Sequence, residues 1–204
     1  MSVKYRLGIQ VYPAAGPCVA CGDESDPYRD YGVGCRNKGK RIYRYNILRD
    51  ALHMTAKQAS LSPAKEESAL LPGSAEKPAD VFIPGWANGR DAALDVSVVS
   101  PLQSQLIKKA SEESSSAAKK RNNDMLSKYF DPCNNEGIHF FPVVVETLGG
   151  WHTKLARQLA SQSGAESADT ARHLLQRLGI LPQYIWTQFL MVISISRQYR
   201  WSGC

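Results

Sequence analysis

Hydrophobic positions recur at helical spacing in several parts of the chain. Residues 44–60 carry apolar side chains three and four positions apart, which predicts a helix. Residues 103–128 are polar and suited to helix formation, with a weak stretch at 111–116. Three further helices are predicted at residues 151–161, at residues 169–179 and after Pro182.

Strand patterns occupy the middle of the chain. Asp80–Ile83 is a short strand, and Ala93–Val99 alternates apolar and polar positions, so the two predict a β-hairpin. Turn residues at 84–90 predict a longer connection between them. Residues 138–145 are almost all apolar, which is typical of a central strand buried on both faces. Pro142 within that run predicts a bulge or a strand start.

The order of these elements predicts an α/β fold with a small mixed β-sheet flanked by helices. Residues 1–42 are rich in glycine, proline, cysteine and aspartate and predict a loop-rich N-terminal knuckle. We expect the core at residues 43–162 and a helical C-terminal tail at 163–204. The longest apolar run, at 185–195, is too short to span a bilayer, which needs about 20 residues.

Charge and cysteine content narrow the environment. The net charge is +6, which permits a polyanionic partner such as DNA without requiring one. Basic residues between Lys108 and Lys128, together with those after residue 151, can follow a phosphate backbone or form a solvated surface. Five cysteines and an N-terminus unlike a signal peptide predict an intracellular, reducing location without a membrane association.

Two aspartates are the main candidates for chemistry. Asp80 opens the first hairpin strand, and Asp95 lies inside the second, facing opposite to Leu94 and Val96. Carboxylates from adjacent strands can share one Mg²⁺ or Mn²⁺ ion, which would polarise a phosphate and supply hydroxide. The alternative is that Asp80 caps the hairpin while Asp95 faces solvent on an amphipathic strand.

Three motifs carry a resemblance to a known family: Lys77-Pro-Ala-Asp80-Val, Ala93-Leu-Asp95-Val-Ser-Val-Val-Ser-Pro-Leu102 and Phe141-Pro-Val-Val-Val-Glu146-Thr-Leu-Gly-Gly150. Together they resemble the restriction-like (PD-(D/E)XK) endonuclease domain at the C-terminus of reverse-transcriptase polyproteins of certain non-LTR retrotransposons. The resemblance implies a helix–strand–strand–strand–helix core, DNA as substrate, a nuclear location, and Asp80 and Asp95 as metal ligands.

The chain departs from the family pattern at two points. Ala79 separates Pro78 from the acid, and Ser97 stands where the (D/E)XK lysine is expected. That lysine positions the attacking water and offsets charge in the transition state. Lys128 is the best replacement, ahead of Lys119 and Lys120, and its alternative is a solvated helix lysine. Glu146 is either a third acid or a charge at a helix N-terminus.

The N-terminal segment contains Cys18 and Cys21 at a spacing typical of zinc ligands, followed by Cys35. The region resembles the cysteine–histidine knuckle of retroelement C-terminal regions, with Tyr31 in the histidine position. A second tyrosine, Tyr45, replaces the histidine of an Arg-His-Asn element, which suggests a decayed or mutated copy. Three thiolates and a water can hold Zn²⁺ weakly; the alternative is three free cysteines.

Three functions follow from these features: a Mg²⁺-dependent DNA endonuclease domain derived from a retrotransposon, a catalytically silent nucleic-acid-binding remnant of the same fold, and an interaction domain without nucleic acid. The remaining candidates are interpreted as structural. They are Cys133, as a packed thiol, and the histidines His53, His139, His152 and His173.

Overall fold

The computed structural model describes residues 9–28, 30–35, 37–58, 61–87 and 89–148. This part of the chain is a mixed α/β fold. Its strands are β1 (Gly16–Pro17), β2 (Glu24–Ser25), β3 (Ala64–Lys65), β4 (Val81–Ala87), β5 (Arg90–Val99) and β6 (Ile138–Glu146). Its helices are α1 (Asp30–Gly34), α2 (Lys38–Gln58), α3 (Ile107–Glu112) and α4 (Ser116–Asn135).

The larger sheet has the strand order β3-β4-β5-β6. Strands β3, β4 and β5 pair antiparallel, whereas β6 runs parallel to β5, with α3 and α4 lying between them in the chain. The small mixed sheet flanked by helices is therefore confirmed. Strand β6 ends the sheet within the described residues, so its prediction as a central strand was wrong there. Pro142 lies inside β6 without a register shift, and an edge strand tolerates a proline because fewer backbone donors are needed.

Within the described part of the chain, each face of the sheet packs against one helix. Leu48 and Leu52 of α2 pack against Val81, Leu94 and Val96 in one buried cluster. On the other face, α4 packs through a second cluster of residues that alternate with the first along the strands: Ala118, Met125 and Cys133 of α4 with Ala93 of β5 and Phe140 and Val144 of β6. Strand alternation therefore separates the two faces, as the sequence pattern predicted.

The hairpin of β4 and β5 is longer than predicted. Both strands extend into residues 84–90, so the long connection expected there was wrong. The register shifts between Ile83 and Ala87, where Gly85 adopts a φ of 61° that favours glycine. The backbone N–H of Gly85 donates to Oδ1 of Asp91 at 2.8 Å, so a side chain replaces part of the regular ladder.

The helices also differ in their bounds from the sequence prediction. Helix α2 begins at Lys38 and continues through residue 42, the predicted end of the knuckle. A break separates α3 from α4 inside the weak stretch 111–116, and Ser115 has a φ of 59° there. The three helices predicted after residue 150 lie outside the described residues. Among the described helices, none combines the length and apolarity needed to cross a bilayer.

Candidate functional site

Two aspartates lie side by side where the central hairpin begins. Val81 pairs with Leu94, so the register continued by one residue places Asp80 beside Asp95. The backbone N–H of Asp80 donates to the carbonyl of Leu94 at 2.9 Å. The carboxyl groups of Asp80 and Asp95 lie within hydrogen-bonding reach of each other. The two acids singled out in the sequence therefore converge at one point of the sheet.

Asp95 is partly buried on the sheet face that α4 covers. Burial, followed by the negative charge of Asp80 and the hydrogen bond between the two acids, raises the pKa of Asp95 to about 8. Two adjacent negative charges in a partly desolvated position repel each other, which disfavours the charged form of the carboxyl groups. A positive charge close to the two carboxyl groups would offset that repulsion.

Asp80 is fixed from two directions. Its Oδ2 accepts the backbone N–H of Val96 at 2.6 Å, and its Oδ1 accepts a hydrogen bond from the Tyr45 hydroxyl of α2. Burial and that bond raise the pKa of Tyr45 above its ordinary value, so the phenol keeps its proton and donates it. The guanidinium of Arg49 lies 5.6 Å from the centre of the Tyr45 ring and further limits its position.

Helix α4 places two cations, Arg121 and Lys128, near enough to affect the aspartate pair. Nε of Arg121 donates to Oγ of Ser97 at 3.0 Å, and Ser97 follows Asp95 by two positions on the same strand face. Both Arg121 and Lys128 act to lower the pKa of Asp95, opposing the effects of burial and of Asp80. Lys128 is exposed and pairs with Oε1 of Glu76 at 2.7 Å. Helix α4 thus supplies the positive charge that acts on Asp95.

Glu146 lies elsewhere in the fold. It pairs with Val99 in the β5–β6 register, whereas Asp95 pairs with Pro142, so four residues of strand, about 13 Å, separate the two positions. Oε1 of Glu146 accepts the backbone N–H of Ala118, in the first turn of α4, at 2.9 Å. Glu146 is 6 % exposed, and this contact places its charge at the favourable end of the helix dipole.

The knuckle forms a second candidate site. The sulfur atoms of Cys18, Cys21 and Cys35 all lie within 4.8 Å of one another and can hold a metal ion such as zinc. Cys35 Sγ is 3.8 Å from Cys18 Sγ and 3.6 Å from Cys21 Sγ. In a tetrahedral zinc site with Zn–S bonds of about 2.3 Å, neighbouring sulfurs are separated by about 3.8 Å. The spacing therefore fits zinc.

Local hydrogen bonds build this thiol cluster. The N–H of Cys18 donates to the carbonyl of Asp23, and the N–H of Gly22 returns to the carbonyl of Cys18, both at 2.7 Å. Burial raises the pKa of Cys35 to about 11. Burial acts in the same direction on Cys18, but hydrogen bonds with the backbone of Ala20 and Cys21 lower its pKa below the ordinary value. Metal binding therefore releases thiol protons to solvent.

The described histidines and Cys133 have packing roles. Cys133 is fully buried in the α4 cluster, and burial raises its pKa to about 11. His139 stacks on Phe141 with ring centres 6.1 Å apart. His53 is 9 % exposed on α2. His152 and His173 lie outside the described residues. None of the described histidines takes part in the thiol cluster or contacts the aspartate pair.

Sequence reasoning placed the acids and thiols but missed two of their neighbours. Arg121 was recognised only as one basic residue of a helix. Its hydrogen-bond acceptor is Ser97, a polar residue on the same strand face as Asp95. Tyr45 was noted for replacing a histidine, not for contacting Asp80. No protein-family model matches this chain, and a search of curated proteins finds no significant match.

Proposed function

We propose that the chain is a Mg²⁺-dependent DNA endonuclease domain, in which Asp80 and Asp95 bind the metal ion. The observation that carries this proposal is the convergence of the two carboxyl groups, together with the raised pKa of Asp95. The small mixed sheet between helices supports it, since the resemblance implies an α/β core of this general kind.

A Mg²⁺ ion held by one or two carboxylates would polarise the scissile phosphate and lower the pKa of a bound water. The chain's own residues would prepare that position. Tyr45 and the N–H of Val96 orient Asp80, and the partial burial of Asp95 excludes some of the competing water. A fixed pair of acids costs little reorganisation when the substrate arrives.

Positive charge on α4 would take the place of the missing (D/E)XK lysine. Lys128 is the replacement expected from the sequence, and it lowers the pKa of Asp95 from a distance while pairing with Glu76. A phosphate could compete for this exposed lysine because a surface ion pair is weak. The exposed residues Lys119, Lys120 and Arg121 on the same helix would then contact the DNA backbone.

A second candidate function is DNA binding without cleavage. The observation that favours it is Ser97, which stands where the family has a lysine. Ser97 has no amine to position a water, and its Oγ instead accepts a hydrogen bond from Nε of Arg121 at 3.0 Å. Such a domain would keep the basic helix and lose the reaction. The two candidates predict the same salt-dependent DNA binding and differ only in strand cleavage.

Nicking of supercoiled plasmid distinguishes them. With Mg²⁺ or Mn²⁺, we expect the wild-type chain to nick and Asp95→Asn to lose at least about 100-fold in rate, as is usual when a group that stabilises the transition state is removed. Glu112→Gln, which removes an exposed carboxylate at the end of α3, is the matched control and should retain activity. Equal rates for wild type and Asp95→Asn would refute the assigned site.

A wild-type chain that binds DNA with a strong salt dependence but never nicks would establish the silent module instead. A chain that shows neither behaviour would leave only an interaction domain.

We further propose that the cluster of Cys18, Cys21 and Cys35 binds one structural Zn²⁺ ion. The sulfur separations of 3.6 and 3.8 Å support this, since they match the edges of a tetrahedral site. The ion would tie the β1–β2 hairpin to Cys35, the residue that lies between α1 and α2. Zinc content measured on the purified chain, before and after chelation, tests the proposal directly.

A further inference from the structure

The thiol cluster has one polar neighbour that the three-thiolate site leaves out. Tyr31 lies in α1, and its hydroxyl oxygen is 3.1 Å from Cys21 Sγ. In a tetrahedral zinc site, with Zn–S bonds of about 2.3 Å and Zn–O bonds of about 2.0 Å, a sulfur and an oxygen ligand are separated by about 3.5 Å. The Tyr31 oxygen therefore lies at a distance from Cys21 Sγ that is near the one expected for a fourth ligand.

The direction of the Tyr31 hydroxyl hydrogen matters as much as the oxygen's position. The hydroxyl donates to Oδ2 of Asp23 at 2.5 Å, so its hydrogen points toward the carboxylate and a lone pair remains for the cysteine side. A carboxylate that accepts a hydrogen bond from a metal ligand makes that ligand more basic and fixes its orientation. Asp23 stands in this relation to Tyr31.

Hydrogen bonds from side chains to the backbone fix the segment that carries Tyr31. Asp26 accepts the N–H of Asp30 at 3.1 Å and the N–H of Tyr31 at 2.6 Å, which fixes the start of α1. Asn37 donates to the carbonyl of Ala20 at 2.7 Å and joins the chain after Cys35 to the loop between the first two cysteines. Tyr31 is therefore held by local contacts of its own, next to those that gather the thiols.

We infer that Tyr31 is the fourth zinc ligand, through its hydroxyl oxygen, with Asp23 as the positioning residue that holds it. This inference rests on the proposed zinc site and names its complete ligand set. The result is a closed site of three sulfurs and one oxygen, the arrangement of a structural ion and not of a catalytic one, because no position is left for a substrate. Zinc binding releases protons from the thiols to the buffer.

Competition against a chromogenic zinc chelator, on the full chain, tests the inference. We expect Tyr31→Phe to bind zinc about 10–100-fold more weakly than wild type, which is the usual loss when a ligand's supporting contacts are removed. Tyr28→Phe is the matched control, since Tyr28 is 51 % exposed and lies three residues before Tyr31. Its zinc affinity should equal that of wild type.

Tyr31→His is a second, independent variant. Its expected result is a gain in zinc affinity, which a weakened fold could not produce. Histidine at this position would complete a three-cysteine, one-histidine site, and we expect its zinc affinity to exceed that of wild type. In the Co²⁺-substituted chain, both Tyr31→Phe and Tyr31→His should shift the d–d absorption bands, while Tyr28→Phe leaves them in place.

The outcomes separate the two proposals. Unchanged affinity and unchanged cobalt bands in both Tyr31→Phe and Tyr31→His would overturn the ligand role of Tyr31 and leave a three-thiolate zinc site standing. Failure of the wild-type chain to bind zinc at all would overturn the zinc site and the ligand role together. Weaker binding in Tyr31→Phe with tighter binding in Tyr31→His would establish the inference.

Discussion

The two faces of strand β5 differ sharply in composition. On the face toward α2, Ala92, Leu94 and Val96 continue one apolar cluster without interruption. On the face toward α4, Ala93 is buried, but the next position is Asp95 and the one after it is Ser97. Between Ala92 and Ser97, this ten-residue strand therefore packs through one face and carries a charge on the other.

This difference indicates where the fold can accommodate a functional group. A carboxylate on the α2 face would be buried among aliphatic side chains without partners, at a cost of several kcal/mol. On the α4 face, Asp95 has Asp80 beside it and the cations of α4 nearby. The continuous cluster on one side supplies stability, so the other side can hold a pair of like charges. Three substitutions test this division, in order of decreasing effect on stability.

Leu94→Ala should have the largest effect. Leu94 is 4 % exposed in the α2-side cluster, and removing its buried side chain is expected to destabilise the fold by about 2–5 kcal/mol. Urea unfolding followed by circular dichroism measures this loss, with Leu148→Ala, at a position 44 % exposed, as the control. A loss below about 1 kcal/mol would mean that the α2 face does not carry the stability assigned to it.

Glu146→Ala should come next. It removes the acceptor for the N–H of Ala118 and a charge at the start of α4, at an expected cost of about 1.5–3 kcal/mol. Glu146→Gln keeps an acceptor and should lose less. If plasmid nicking by Glu146→Gln falls as far as it does in Asp95→Asn, while Glu146→Gln unfolds at the urea concentration of wild type, then Glu146 belongs to the reaction and not only to the helix.

Asp95→Asn should have a smaller effect of opposite sign. The pKa of Asp95 rises from an ordinary 3.8 to about 8 on folding, so the folded chain retains a proton that the unfolded chain loses between these values. Stability therefore decreases as the pH rises from about 4 to about 8, and Asp95→Asn should remove that slope and gain about 1–2 kcal/mol already at pH 5, where the comparison with the other two variants is made.

Thermal unfolding across this pH range, with and without Mg²⁺, measures the effect. Mg²⁺ should stabilise the wild-type chain most at the alkaline end, where Asp95 loses its proton, and should not stabilise Asp95→Asn to the same extent. An identical pH slope in wild type and Asp95→Asn would show that another group causes it.

The sequence was sufficient for the features that depend on local periodicity. Strand alternation placed Asp95 opposite to Leu94 and Val96, and the run of serines before α4 matched the break at Ser115. The two-residue strand β3 carries no such period, so no pattern in the sequence predicts it. Short strands of this kind exist only because a neighbour offers a free edge, here β4.

Other features depend on contacts between distant residues. Among the described residues, β6 pairs only with β5, and nothing within its apolar run indicates which strand lies beside it. The hydrogen bond from Tyr45 to Asp80 joins residues 35 positions apart. The anchoring of Arg121 by Ser97 spans 24 positions. Periodicity identifies the face on which a side chain lies but not the partner that meets it.

The hairpin of β4 and β5 has a further consequence for folding kinetics. Asp80 and Asp95 meet through a short antiparallel connection, whereas α4 follows later in the chain and β6 must return parallel to β5. Because hairpins close in microseconds and non-local pairings are slower, the two acids should approach before the cations of α4 arrive. We therefore expect electrostatic repulsion in the folding nucleus at neutral pH, so that acid or a divalent ion accelerates refolding of the wild-type chain.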